Sequence, residues 1–224
     1  MTTEKSSPLQ VALFPIPQMV TFPGNQVPLH VFEPRYRVMI QHCLKTSMML
    51  AIAHTKRVKY PIEKTKKTTK SLNQNQNQTT YDAHPVFSAG SCQVIETTED
   101  GRMHIKVNIN KRIQLIEIKQ EIPFKIVTCI ELIDEKETNL IEQCKNKMLE
   151  IYTVLLAISQ SQSPQLYEMI KKSEWEKLTP AEFSFKIFDH FKFEPDFMQL
   201  VLEQTSVNQR LELIWQGIKQ NLRG

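Results

Sequence analysis

The hydrophobic period changes once along this chain, from two to about 3.6, and the change falls near residue 134. Before it, apolar and polar residues alternate in short runs such as Gln93-Val94-Ile95-Glu96-Thr97-Thr98 and Met103-His104-Ile105-Lys106-Val107. After it, Ile141, Cys144, Met148, Ile151, Tyr152, Leu155 and Ile158 recur on a three-and-four rhythm through a stretch without glycine. Strands followed by helices, rather than strands alternating with helices, describe an α+β chain. The pattern predicts a short flexible tail over 1–8, a β-rich pseudo-barrel over 9–133 and a helical bundle over 134–224.

Six of the twelve prolines fall in the first 34 positions, interleaved with apolar residues in Leu13-Phe14-Pro15-Ile16-Pro17 and Val27-Pro28-Leu29-His30-Val31-Phe32. Proline cannot donate to a ladder, so these runs read as edge or terminal strands. Glu33-Pro34 then opens a helix, with Tyr36, Met39, Ile40, Cys43 and Leu44 on one face. The stretches 48–53 and 86–87 read as buried strands. Asp100-Gly101 supplies the positive φ of a tight hairpin between 93–98 and 103–107. Two further strands are expected over 113–118 and 124–132, interrupted at Pro123, to complete a small antiparallel, barrel-like sheet.

In the second half the first helix is predicted over about 137–159. Thr179-Pro180-Ala181-Glu182 forms a capping box, Ser206-Val207-Asn208-Gln209 repeats the device, Pro195 opens another helix and 165–172 suggests one more. Six of the eleven phenylalanines lie within 183–197. Spacings of three there favour the core of a bundle over an exposed peptide-binding surface.

A net charge of +4 raises the question of nucleic acid, and the distribution of charge answers it. Seven basic residues against one acid over 56–70 carry +6, which leaves −2 for the rest. This segment runs into Asn73-Gln74-Asn75-Gln76-Asn77-Gln78, so 55–84 is expected to be a disordered insertion with little to bury. Base stacking needs aromatic residues, and only Tyr60 and Tyr81 are near. Nucleic acid is therefore disfavoured as a partner.

Catalytic signals are missing from the sequence. No glycine spacing makes a Walker loop or a dinucleotide fingerprint, no serine stands in GxSxG, and His30, His42, His54, His84, His104 and His190 form no paired motif. Cys43, Cys92, Cys129 and Cys144 are scattered and read as buried free thiols. Catalytic residues, cofactors and metals are accordingly not expected. With no apolar run of membrane-spanning length and no signal-peptide core, the expected setting is the cytoplasm, away from membrane. Glu33, Arg35 and Tyr36 crowd the strand-to-helix junction, where a structural ion pair is favoured over a catalytic carboxylate.

Leu13-Phe14-Pro15-Ile16, Phe22-Pro23-Gly24 and Pro28-Leu29-His30-Val31-Phe32-Glu33-Pro34-Arg35-Tyr36 resemble the opening of the N-terminal substrate-binding domain of Lon proteases. The most specific element is Phe32-Glu33-Pro34-Arg35-Tyr36. Asp100-Gly101-Arg102, Lys111-Arg112-Ile113, Phe193-Glu194-Pro195 and the run from Gln199 to Arg210-Leu211 extend the resemblance over 9–222, the insertion excepted. Asn110 departs from the glycine usual in the family, a change tolerated because asparagine also visits positive φ. The resemblance implies a PUA-like pseudo-barrel and a helical subdomain. It implies a stand-alone, non-enzymatic module for unfolded or loosely folded polypeptide, working with a protease or chaperone and lacking the ATPase and Ser-Lys protease modules. Within it, Phe32, Glu33, Pro34, Arg35 and Tyr36 are scaffold, and no binding residue is carried over. Two other readings stand beside it: an RNA-binding module using the basic insertion, and a small-molecule site.

Overall fold

The computed structural model describes residues 7–58 and 81–221. Most of the expected tail and the centre of the expected insertion lie outside these residues. Among the described residues of the first half are eight strands: β1 (Leu9–Pro15), β2 (Gln26–Val31), β3 (Met49–Ala53), β4 (Thr55–Val58), β5 (Tyr81–Ala83), β6 (Val86–Thr97), β7 (Met103–Gln120) and β8 (Lys125–Glu131). One helix, α1 (Pro34–Thr46), sits among them.

Six strands form one sheet in the order β2-β7-β6-β3-β1-β8, and β8 also pairs with the second half of β7. That second pairing closes β7, β6, β3, β1 and β8 into a ring, with β2 laid along the first half of β7. The expected pseudo-barrel is therefore present, with three corrections. β1 runs parallel to β3, so the sheet is not wholly antiparallel. β1 is an interior strand: Val11 and Leu13 face Phe87, Ile113 and Val127, while Ala12 faces Met39, Ile40 and Leu50. Burial on both faces is what a parallel, crossover-connected strand requires, and Pro15 is accommodated at its last residue. The third correction concerns 113–118, which continues the strand begun at Met103. β6 and β7 stay paired from Thr97 and Met103 to Val86 and Gln114, around bulges at Ala89/Gly90 and Val94/Glu96.

Asp100-Gly101 makes the expected hairpin turn, with φ +77° at Gly101. The insertion is corrected at both ends, because 55–58 pairs with 81–83 as a two-stranded stem. In α1 the residues Tyr36, Met39, Ile40 and Cys43 plug one end of the barrel, whereas Leu44 is exposed.

Beyond the sheet a 3-10 turn at Thr138–Leu140 leads into α2 (Ile141–Gln162), α3 (Pro164–Lys172), α4 (Pro180–Lys186), α5 (Pro195–Glu203) and α6 (Val207–Asn221). The Thr179 capping box forms in full. At α6 the Ser206 hydroxyl accepts from Gln209 N–H at 3.1 Å, but no reciprocal bond from Gln209 forms; Glu137 instead accepts from Asn208 N–H, another donor of the first turn, at 3.1 Å. Trp175, Phe183, Leu202, Leu211 and Ile214 build the helical core, and Phe22 and Val86 of the barrel half join it. The phenylalanine cluster is core, as its spacing suggests, although α4 ends at Lys186 and a 3-10 turn at Ile187–Asp189 carries Phe188.

A buried ionic clamp fixes the two halves together. Asp134 accepts from Arg112 at 2.5 Å and, through both carboxylate oxygens, from Arg210 at 2.7 Å. Arg112 also donates to the carbonyls of Leu202 and Gln204, and Arg210 donates to Ser184 Oγ at 2.7 Å. Burial pushes the Asp134 carboxyl up, but the hydrogen bonds and charges of Arg210 and Arg112 outweigh it and hold the group below the ordinary carboxylate range.

Candidate functional site

The segment that enters β2 is specified residue by residue. Pro23 and Gly24 occupy the corners of a turn closed by Asn25 N–H donating to Phe22 O at 3.0 Å, and Gly24 has φ +93°. Gly24 N–H donates to Ile109 O at 2.8 Å while Ile109 N–H donates to Asn25 O at 2.9 Å. Two residues thus oppose one, as in a glycine-led bulge. The Asn25 side chain locks the turn, accepting from Phe22 N–H at 2.7 Å and donating to Asp189 at 2.6 Å.

This bulge sets the phase of β2. Since Asn25 bonds to Ile109 and the register then runs without shifts, Val27, Leu29 and Val31 direct their backbone groups at β7. Gln26, Pro28 and His30 direct theirs away from the sheet. Among the described residues β2 has no second strand neighbour, and none of them bonds the outward backbone of these three exposed residues. The edge position expected for this proline-containing run is confirmed, and the missing N–H of Pro28 falls on the outer side.

The free edge opens into two clefts. One, of about 630 Å³, lies against the first half of β2 and is lined by Val20, Phe22, Val27, Phe188 and Met198. The other, of about 280 Å³, lies against the second half and is lined by Phe14, Ile16, Leu29, Phe32 and Tyr36. Their acids and bases are closed on one another: Lys186 pairs with Asp189 at 2.6 Å and Arg35 with Glu33 at 3.0 Å. The walls therefore offer apolar surface, interspersed in the larger cleft with the polar side chains of Asn25 and Gln26, without unbalanced charge. Thr21 Oγ1, buried in the first cleft, has no hydrogen-bond partner.

The motif residues divide between scaffold and surface. Pro34 is the first residue of α1, and Tyr36 is buried with its ring 4.2 Å from that of Phe14 and the Arg35 guanidinium 4.4 Å above it. Glu33 pairs with Arg35 rather than capping the helix by its side chain. That pair is only half-buried, less enclosed than an inaccessible scaffold pair. Phe32 is 58% exposed at the rim of the second cleft.

The histidines, unpaired in sequence, stack in two pairs: His30 on His104 at 4.6 Å and His54 on His84 at 5.1 Å. The first pair follows from their facing positions in the β2–β7 register. Ligating atoms of His54, His84 and Asp196 come within 4.8 Å of one another, the spacing of a candidate metal cluster. The hydrogen bonds argue for another role. His54 Nδ1 accepts from Gln18 N–H at 3.0 Å, so its proton sits on Nε2 and is donated to Asp196 at 3.2 Å. A ring in that state has no lone pair left for a cation, and the group instead ties the barrel to α5. Burial and the neighbouring His54 hold His84 below the ordinary histidine range, against the pull of Glu203.

Three of the four thiols, those of Cys43, Cys129 and Cys144, are pushed up, away from nucleophilic character. Cys43 is pushed up by its hydrogen bond to Cys92 and by burial, and burial pushes Cys129 up to about 12. Cys92, expected to be buried, is only half-buried, and its thiol is lowered by the bond from Cys43. Among the described residues no helix is long and apolar enough to cross a membrane.

Comparisons with known proteins agree with this architecture. Residues 10–220 match the family model described as the ATP-dependent protease La (LON) substrate-binding domain. Among solved structures, the N-terminal domain of Mycobacterium avium complex Lon protease is similar at 17% identity and a TM-score of 0.64, covering 92% of this chain and 96% of that one. The Lon N-terminal domain protein from Xanthomonas campestris is similar at 12% identity and a TM-score of 0.54, with the same coverage. No curated protein matches the sequence.

Proposed function

Given that the chain belongs to the LON substrate-binding domain family, we propose that it recognises substrate polypeptide at the free edge of β2 and its two clefts, and performs no chemistry on what it binds. The observation that carries this reading is the pairing of unbonded backbone with flanking apolar walls whose charges are internally neutralised. Such a surface attracts exposed apolar segments and has little to hold a phosphate backbone. Four free thiols fit a reducing cytoplasmic setting.

Titrating the purified chain with a labelled casein-like client and with a structured RNA, each at two salt concentrations, tests the proposal. Client binding should be micromolar or weaker, about −8 kcal/mol or less favourable, because ordering a flexible chain opposes association. It should depend little on salt. Met198→Lys, which places a charge in the larger cleft, should weaken it. Tight, salt-sensitive RNA binding with no client binding would overturn the proposal.

A further inference from the structure

The outward groups of β2 carry a more specific inference, which rests on the polypeptide-binding reading above. Along the free edge they come in the order Gln26 N–H and C=O, Pro28 C=O, then His30 N–H and C=O. Two donors and three acceptors, spaced two residues apart, match what an extended chain presents along one of its own edges. A phosphate or a sugar presents no such ladder. Each cleft holds a single acid–base pair that is already closed on itself, so the electrostatic complement is an uncharged segment. The clefts lie at successive halves of the strand, and apolar side chains stand in the walls of both, interspersed with Asn25 and Gln26 in the larger.

We infer that β2 takes its client as an added strand: an extended, uncharged polypeptide segment of about five residues, with apolar side chains at alternate positions that seat in the two clefts. The client residue opposite Pro28 donates but receives no bond. This gap weakens self-pairing of two β2 edges, where proline would face proline, more than it weakens capture of a client.

The test uses the full chain and a fluorescently labelled, end-blocked ten-residue peptide with valine or leucine at alternate positions and serine or threonine between them. Two further versions carry N-methyl groups on one or the other alternate set of amides. Strand addition requires that methylating the set facing β2 abolishes binding while the other set leaves it within about threefold. Replacing His30→Pro removes one outward donor without touching the β7 ladder, and Pro28 shows that such a position tolerates the ring; affinity should fall about tenfold. Pro28→Ala supplies a donor and should tighten binding a few-fold. If both methylated peptides bind equally and His30→Pro changes nothing, strand addition is wrong while cleft binding stands. If casein binds but none of the peptides does, strand addition is likewise overturned. Binding of neither casein nor peptide removes the underlying polypeptide-binding reading as well.

Discussion

Replacing Asp134→Asn tests whether the barrel and the helices are held together by charge. The carboxylate accepts three short hydrogen bonds, one from Arg112 and two from Arg210, and Arg210 is wholly buried. Charge-assisted bonds contribute ~1.5 to 3 kcal/mol each, which sets an upper bound of about 9 kcal/mol for the three. Two structural facts reduce it. Asparagine keeps one acceptor, and the Asp134 side chain is 26% exposed, so water partly solvates what is left. The amide nitrogen, however, faces guanidinium donors and leaves two buried cations uncompensated, and we expect a loss of ~3 to 4 kcal/mol. In urea denaturation this lowers the midpoint by about 1 to 1.5 M, taking a slope near the top of the usual range. The effect has a pH signature. Because the folded carboxyl is held below its unfolded value of about 3.9, its contribution is fully present above that pH and is lost as pH falls through the folded value. Wild type should therefore lose stability below about pH 4 more steeply than the variant. Arg35→Ala is the control: its pair with Glu33 is half-exposed and should cost only about 1 kcal/mol. A midpoint shift for Asp134→Asn no larger than that of Arg35→Ala, with parallel acid curves, would refute the reasoning.

Two other outcomes are expected. Gly90→Ala sets a methyl group 1.8 Å from the Asn108 carbonyl, so β6 and β7 must separate; the loss should exceed ~4 kcal/mol and appear as insoluble expression, whereas Gly24→Ala, strained only by its φ of +93°, should cost ~1 to 2 kcal/mol by thermal melting. His84 should titrate below about 6.5 by NMR and lower still in Glu203→Gln, and the linked stability should be present above that pH and decline below it.

Local signals in the sequence translate directly into structure here. Pro28 specifies an edge because the missing donor is a property of the residue itself, and Asp100-Gly101 and the Thr179 box specify a turn and a cap for the same reason. Pairings set by distant residues are not legible in this way. The parallel partnership of β1 with β3 shows only as Val11, Ala12 and Leu13 in succession, a run without alternation that local proline content overrode. The phase that turns Gln26, Pro28 and His30 outward depends on the bulge at Gly24 and Asn25, which is defined by Ile109 across the sheet. Arg112 and Arg210 stand in stretches that carry the family resemblance, but nothing local pairs either with Asp134, and the three come together only once the barrel and the helices have met. For the basic stretch, the pairing of 55–58 with 81–83 depends on register, which composition does not encode.

Ring closure has a temporal side during synthesis. β1 needs β8 along one edge, and Leu9 leaves the ribosome long before its partner Cys129. At ~5 to 20 residues per second the interval is roughly 6 to 24 seconds, during which Val11, Ala12 and Leu13 have α1 and β3 to lean on but one open edge. The Asp134 clamp waits longer still, for Arg210. The nascent protein therefore passes through a stage in which a client-binding module is itself an exposed, apolar, unpaired strand, and its yield in the cell should depend on how well that stage is shielded.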